Sequence, residues 1–167
     1  IWVDLQAIGS VSESLGTTAH EFGHNLGLGH GQGRVCTGTT TDVATQSVWF
    51  SAYSYYRQQP KSPCSDSEYG DVSNIMGAAS AISGAKPTAL SIAQKDALGV
   101  LPSGAMTVVR PSNGASQTFS LAPAGSNSGM RGLKVADPQG GAFYVEYRSG
   151  TGEDSGLPWA NGSLLNF

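Results

Sequence analysis

The sequence predicts an α+β chain, helical in two places and built of short strands in its last third. Three observations predict it. His20 and His24 stand four residues apart beside Leu15, Thr18, Ala19 and Phe22, the spacing of a helix. Leu90, Ala93, Ala97 and Leu98 repeat the helical period between Pro87 and Pro102. From residue 104 onward, β-prone runs alternate with Gly, Pro, Ser and Asn.

The elements follow in order. Ile1-Trp2-Val3-Asp4-Leu5 opens a stretch, residues 1–8, that reads as a strand. Ser12 or Ser14 caps a helix running through His24 to about Leu26, with Val11 joining its apolar side. Gly27 is the expected turn, because glycine accepts positive φ at a helix end. Residues 31–47 are rich in Gly and Thr and read as loop. Residues 48–56 are dense in aromatics and read as a strand or a pocket lining; core packing and a substrate-contacting wall are both open to them. Gln59-Pro60-Lys61-Ser62-Pro63 reads as loop. A helix is expected from about Thr88 to Gly99, stopped by Pro102. The segments 106–110, 117–121, 132–136 and 142–148 read as strands of a small antiparallel β-sandwich-like region. A boundary is expected between residues 1–102 and 103–167.

Composition limits the function classes. The chain has 167 residues, enough for one domain or two small ones. Charged residues make up 13% and the net charge is −3. No basic stretch marks a nucleic-acid partner. No apolar run is long enough to span a membrane. Cys36 and Cys64 are the 2 cysteines. A bridge between them would close a loop of about 29 residues, worth roughly 3–4 kcal/mol in the chain-entropy model. It implies an oxidising compartment, hence a secreted protein. Two free thiols or a thiol ligand are the alternatives. Oligomeric state is not legible.

The chemistry is concentrated in His20-Glu21-Phe22-Gly23-His24-Asn25-Leu26-Gly27-Leu28-Gly29-His30. The chain has 3 histidines, and all fall in this run. Positions i and i+4 lie about 40° apart on a helix, so His20 and His24 reach one ion. A continued helix would carry His30 about 9 Å further along its axis, so the chain must turn back first. Three imidazoles leave a fourth position of a tetrahedral zinc open for water. Glu21, beside the first ligand, is placed to act as general base and then acid. Downstream, Met76-Gly77 closes the run Tyr69-Gly70-Asp71-Val72-Ser73-Asn74-Ile75-Met76-Gly77.

His-Glu-x-x-His-x-x-Gly-x-x-His is the pattern of the metzincin zinc peptidases. With Tyr-Gly-Asp-x-Ser-x-x-Met-Gly after it, residues 14–100 resemble the gametolysin-type family of that clan. The resemblance continues more weakly at Phe143-Tyr144-Val145-Glu146-Tyr147-Arg148. It implies the C-terminal part of a catalytic domain: zinc helix, methionine turn and C-terminal helix, followed by the β-rich region. It implies Zn²⁺ on His20, His24 and His30, Glu21 as catalytic residue, Gly27 and Met76 as structural support, and Met76 as an apolar floor under the metal. The implied activity is hydrolysis of extracellular protein or glycoprotein. Two positions depart from relatives in the clan. Ala78 stands where several carry a tyrosine, and Gly31 where some carry an acid. Tyr69 could replace that tyrosine or simply pack.

Asp137, Glu146, Glu153 and Asp154 are candidate calcium ligands without EF-hand spacing, and a solvated acidic face is the plainer reading. Asn161-Gly162-Ser163 is a glycosylation sequon. Because the clan's catalytic sheet precedes the zinc helix, the chain is expected to be a fragment, a processed product or an incomplete gene model. It ends at Leu164-Leu165-Asn166-Phe167 with no closing element. The alternatives to an enzyme are a zinc-binding but inactive fragment and a surface-binding module.

Overall fold

The computed structural model describes residues 11–40, 43–51, 54–77, 88–110, 116–136, 141–155 and 157. The strand expected at residues 1–8, Ala78, Asp137 and the sequon lie outside them. Helix α1 runs Val11–Asn25. Strand β1 is Gly33–Cys36, β2 Thr45–Phe50, β3 Tyr55–Pro60 and β4 Cys64–Ser67. Helix α2 is Ile92–Ala97. Strands β5 (Met106–Val109), β6 (Gly132–Ala136) and β7 (Ala142–Glu146) follow, with a 3₁₀ turn at Gly152–Asp154.

Helix α1 packs by an unexpected side. Leu15 and Phe22 are 58% and 59% exposed, and Thr18 and Ala19 face solvent too. The buried residues are Gly16, His20 and Gly23, at i, i+4 and i+7. The reason is the partner. Among the described residues it is the turn carrying Ile75 and Met76, which meets the glycine–histidine side. The helix already includes Ser12 and Ser14, so neither is its cap.

The loop expected at 31–47 contains β1 and the start of β2. Strand β1 pairs antiparallel with β4, from Gly33↔Ser67 to Cys36↔Cys64. The two cysteines are disulfide-bonded across that last pair. Strands β2 and β3 form a second antiparallel pair, Thr45↔Pro60 to Phe50↔Tyr55. This pairing takes Gln59 and Pro60 out of the expected loop and into β3. Trp49 and Tyr56 stay exposed rather than entering a core.

Among the described residues the last third forms one three-stranded sheet in the order β5-β6-β7 rather than the two layers of a sandwich. It is mixed: β5 pairs parallel with β6, and β6 antiparallel with β7. Parallel pairing needs a long connection to return the chain to the same end, and residues 110–131 supply it. The strand expected at 117–121 is part of that connection and is irregular.

Helix α2 is shorter than expected, with Ser91 as N-cap and Gln94 closing a capping box. It sits on the sheet face that carries the paired positions Gly132↔Glu146 and Lys134↔Tyr144. A Cβ on Gly132 would come 2.6 Å from Cγ1 of Ile92, so only glycine lets the buried Ile92 lie this close to the sheet. The Glu146 carboxylate accepts from the Ile92 N–H at 2.7 Å. Asp96 Oδ2 accepts from Lys134 Nζ at 2.8 Å and Tyr144 Oη at 2.7 Å.

The Lys134 and then the Tyr144 hydrogen bond hold the Asp96 carboxyl below its ordinary range. A carboxyl with a depressed folded pKa stabilises above its unfolded value and loses that contribution as pH falls through the folded one. Asp96→Asn should therefore melt lower than the unaltered chain at pH 7, and the gap should narrow on acidification below about pH 4. Thermal melts at both pH values check this; a gap that does not change with pH would show that Asp96 is held by shape rather than charge.

Candidate metal centre

The end of α1 sets the geometry. Gly27 has φ +87° and its N–H donates to His24 O at 2.9 Å, while Leu28 N–H donates to Gly23 O at 3.0 Å. These two bonds are a Schellman ending, with glycine at the left-handed position. The chain reverses there and brings His30 back beside the helix. The ring centroids of His20, His24 and His30 lie 4.8, 5.4 and 4.7 Å from one another. One ligand atom from each falls within 4.8 Å of the others, close enough to hold a metal ion.

The hydrogen bonds decide which ring nitrogens face that centre. His20 Nδ1 lies 2.8 Å from Ile75 O, and His24 Nδ1 lies 2.9 Å from Leu28 O. A carbonyl only accepts, so both Nδ1 atoms carry the proton and donate. His30 Nδ1 lies 2.8 Å from Glu68 Oε1, a carboxylate acceptor. With Nδ1 engaged in each ring, Nε2 is the atom left to ligate a metal. The Nε2 atoms of His20 and His24 are 3.1 Å apart. Lone pairs facing one another at that distance repel unless a cation lies between them. Nitrogens bound at about 2.0–2.1 Å around a tetrahedral ion would be separated by about 3.3 Å. The donor set fits a metal, and each ring is oriented through its other nitrogen, as metal-binding histidines are.

Met76 is fully buried. Its N–H donates to Asn74 Oδ1 at 2.9 Å, and its carbonyl accepts from Gly31 N–H at 2.7 Å. Asp71 N–H donates to Gly31 O at 3.0 Å, so the residue after His30 is clamped to both ends of the turn. Asp71 Oδ1 also accepts from Ser73 N–H and Oγ, at 2.9 and 2.6 Å. A Cβ on Gly23 would collide with Sδ of Met76. Met76 thus packs on the helix between the two histidines at 20 and 24. The turn delivers two things at once: an apolar sulfur against Gly23 and the Ile75 carbonyl to His20.

Tyr69 lies against the site. Its ring centroid is 3.9 Å from that of His30 and 5.9 Å from that of His20. Its φ is +60°, a backbone position that costs a non-glycine residue about 1–3 kcal/mol. Glu21 is partly exposed on α1 beside His20.

Sequence reasoning missed Gly23, Glu68 and the Leu28 and Ile75 carbonyls. Gly23 shares a helical face with His20, which is a readable signal. Glu68 stands 38 positions from His30, and nothing in its neighbourhood announces the contact.

The solvated-face reading of the tail acids fails at Asp154, which is fully buried, and among the described residues no group of carboxylates is placed to hold calcium. Glu146 bonds Ile92 and Arg148, and Asp154 bonds Arg148 at 2.7 Å, so both carboxylates are taken by internal donors. Glu153 is exposed. A cavity of about 490 Å³ lies elsewhere, lined by Arg34, Asp71, Tyr144, Glu146 and Arg148, among others, and by none of the three histidines. No helix among the described residues is long and apolar enough to cross a membrane. No protein-family model matches the chain, and no curated protein or solved structure matches it either.

Proposed function

We propose that the chain is the zinc-binding part of a secreted zinc endopeptidase. One observation carries this reading: three imidazoles set their Nδ1 atoms against oxygen acceptors, and one ligand atom from each ring falls within 4.8 Å of the others. Three histidines with an open fourth position are a catalytic zinc donor set, whereas structural zinc is closed by four protein ligands, usually with cysteine, and the spacing of Glu21, Gly27 and the histidines is that of zinc peptidases. Both cysteines are spent in the disulfide. Zinc held there would supply an activated water and polarise a peptide carbonyl.

Glu21 takes the proton from the attacking water and hands it to the departing amine. The Nδ1 hydrogen bonds fix the tautomer and aim each ring. Met76 gives the ligand rings a dry, unreactive floor. The substrate is an extracellular protein or glycoprotein, since the disulfide suits an oxidising compartment.

Hydrolysis of casein by the purified chain tests the proposal, with metal content measured on the same sample. Activity that a chelator abolishes and added Zn²⁺ restores is expected, with about one zinc per chain. A chain that holds one zinc and cleaves nothing would overturn the peptidase reading and leave a metal-binding module.

A further inference from the structure

The β2–β3 pair carries chemistry that the metal centre does not use. Side chains alternate across a strand, so Thr45, Ser47 and Trp49 share one face with Tyr56, Gln58 and Pro60. Trp49 and Tyr56 are direct cross-strand partners. They remain 50% and 68% exposed. Leaving two large rings side by side in water forgoes the main benefit of aromatic side chains, and such patches usually mark a contact surface. Two positions along, Gln58 Nε2 donates to Ser47 Oγ at 2.8 Å. That bond fixes the amide and leaves its oxygen, its second N–H and the serine O–H toward solvent. The face thus offers a stacking platform and, about 7 Å away, an oriented row of neutral donors and acceptors.

We propose that this face binds a neutral glycan. A pyranose has an apolar side of C–H groups, which suits an exposed ring, and a rim of hydroxyls, which suits the Ser47–Gln58 pair. None of the six residues on the face is ionisable at neutral pH, so a charged polymer finds no counter-charge there. A proline-rich peptide needs an open slot between two rings. Here the rings are already in contact, with centroids 4.9 Å apart and planes inclined by 61°. Ring faces are available from outside, but nothing fits between them. The surface shares no residue with the metal centre, so the inference stands apart from the peptidase reading.

Isothermal titration of the full chain tests it, using cellohexaose, maltohexaose, laminarihexaose and a proline decamer as probes. At least one hexaose should bind. Trp49→Ala should weaken that binding about tenfold or more, as loss of an aromatic anchor does. Tyr56→Ala and Gln58→Ala should weaken it as well, which keeps the test decisive if Trp49→Ala misfolds. Glu21→Ala should bind as the unaltered chain does, separating this surface from the reaction. Absence of binding to every hexaose, equal binding by all three hairpin variants, or binding of the proline decamer alone would each overturn the proposal.

Discussion

Glu21→Ala should lower kcat/KM for a quenched peptide substrate by about 10²–10⁴-fold, the usual worth of a positioned general base and acid. Metal content should not change. The two expectations separate because the ring anchors separate. His20 is held by Ile75 O, His24 by Leu28 O and His30 by Glu68, so none of the three depends on the Glu21 carboxylate. A variant that retains activity within tenfold would remove Glu21 from the reaction. A variant that loses its metal would show that Glu21 supports the site rather than the chemistry. Measuring kcat/KM and bound zinc on one preparation distinguishes the cases.

Arg148→Met should lower stability by about 3–5 kcal/mol, the range found when one partner of a buried ion pair is removed. For a chain of this size that is a fall in Tm of roughly 6–20 °C. Burial works against the Arg148 charge, but Glu146 and Asp154 outweigh it and hold the guanidinium above its ordinary range. Its Nε donates to Glu146 at 2.8 Å, and one terminal nitrogen donates to Asp154 at 2.7 Å and Ala89 O at 3.2 Å. Asp154 is fully buried, so methionine leaves its charge without compensation. Glu146 also fastens the first N–H of α2, so the loss spreads from the sheet to the helix. The double variant Arg148→Met with Asp154→Leu should recover part of the loss in thermal melts. A single variant within 1 °C of the unaltered chain would contradict this account.

The parts that were legible beforehand are those written in local spacing. His20 and His24 announced their shared face, Gly27 its turn, and residues 132–136 their strand. The histidine cluster and the disulfide also form in the structure. What escaped depends on partners far along the chain. The exposed side of α1 looked like a core side because Leu15 and Phe22 repeat at the right period. Which side packs is decided by what lies opposite, and there it is Met76, whose sulfur requires the glycine at 23. The strands β1 and β4 are four residues each and rich in small or polar side chains, so they carry little strand signal of their own. They exist because they pair. The parallel step from β5 to β6 was hidden for the same reason, since register between strands more than twenty residues apart leaves no mark on either.

The disulfide has a consequence beyond stability. Strand β1 begins three residues after His30, and β4 ends one residue before Glu68. The ladder between them therefore works as a ruler, stapled at Cys36–Cys64 and open at the histidine end. It raises the effective concentration of the Glu68 carboxylate at the His30 ring to that of an intramolecular neighbour. Cutting the staple would dilute that carboxylate without touching a single ligand. Reducing conditions would then loosen the His30 ring before the other two, whose Nδ1 atoms are held by carbonyls of the helix end and the methionine turn, while the backbone after His30 keeps its own bonds to that turn.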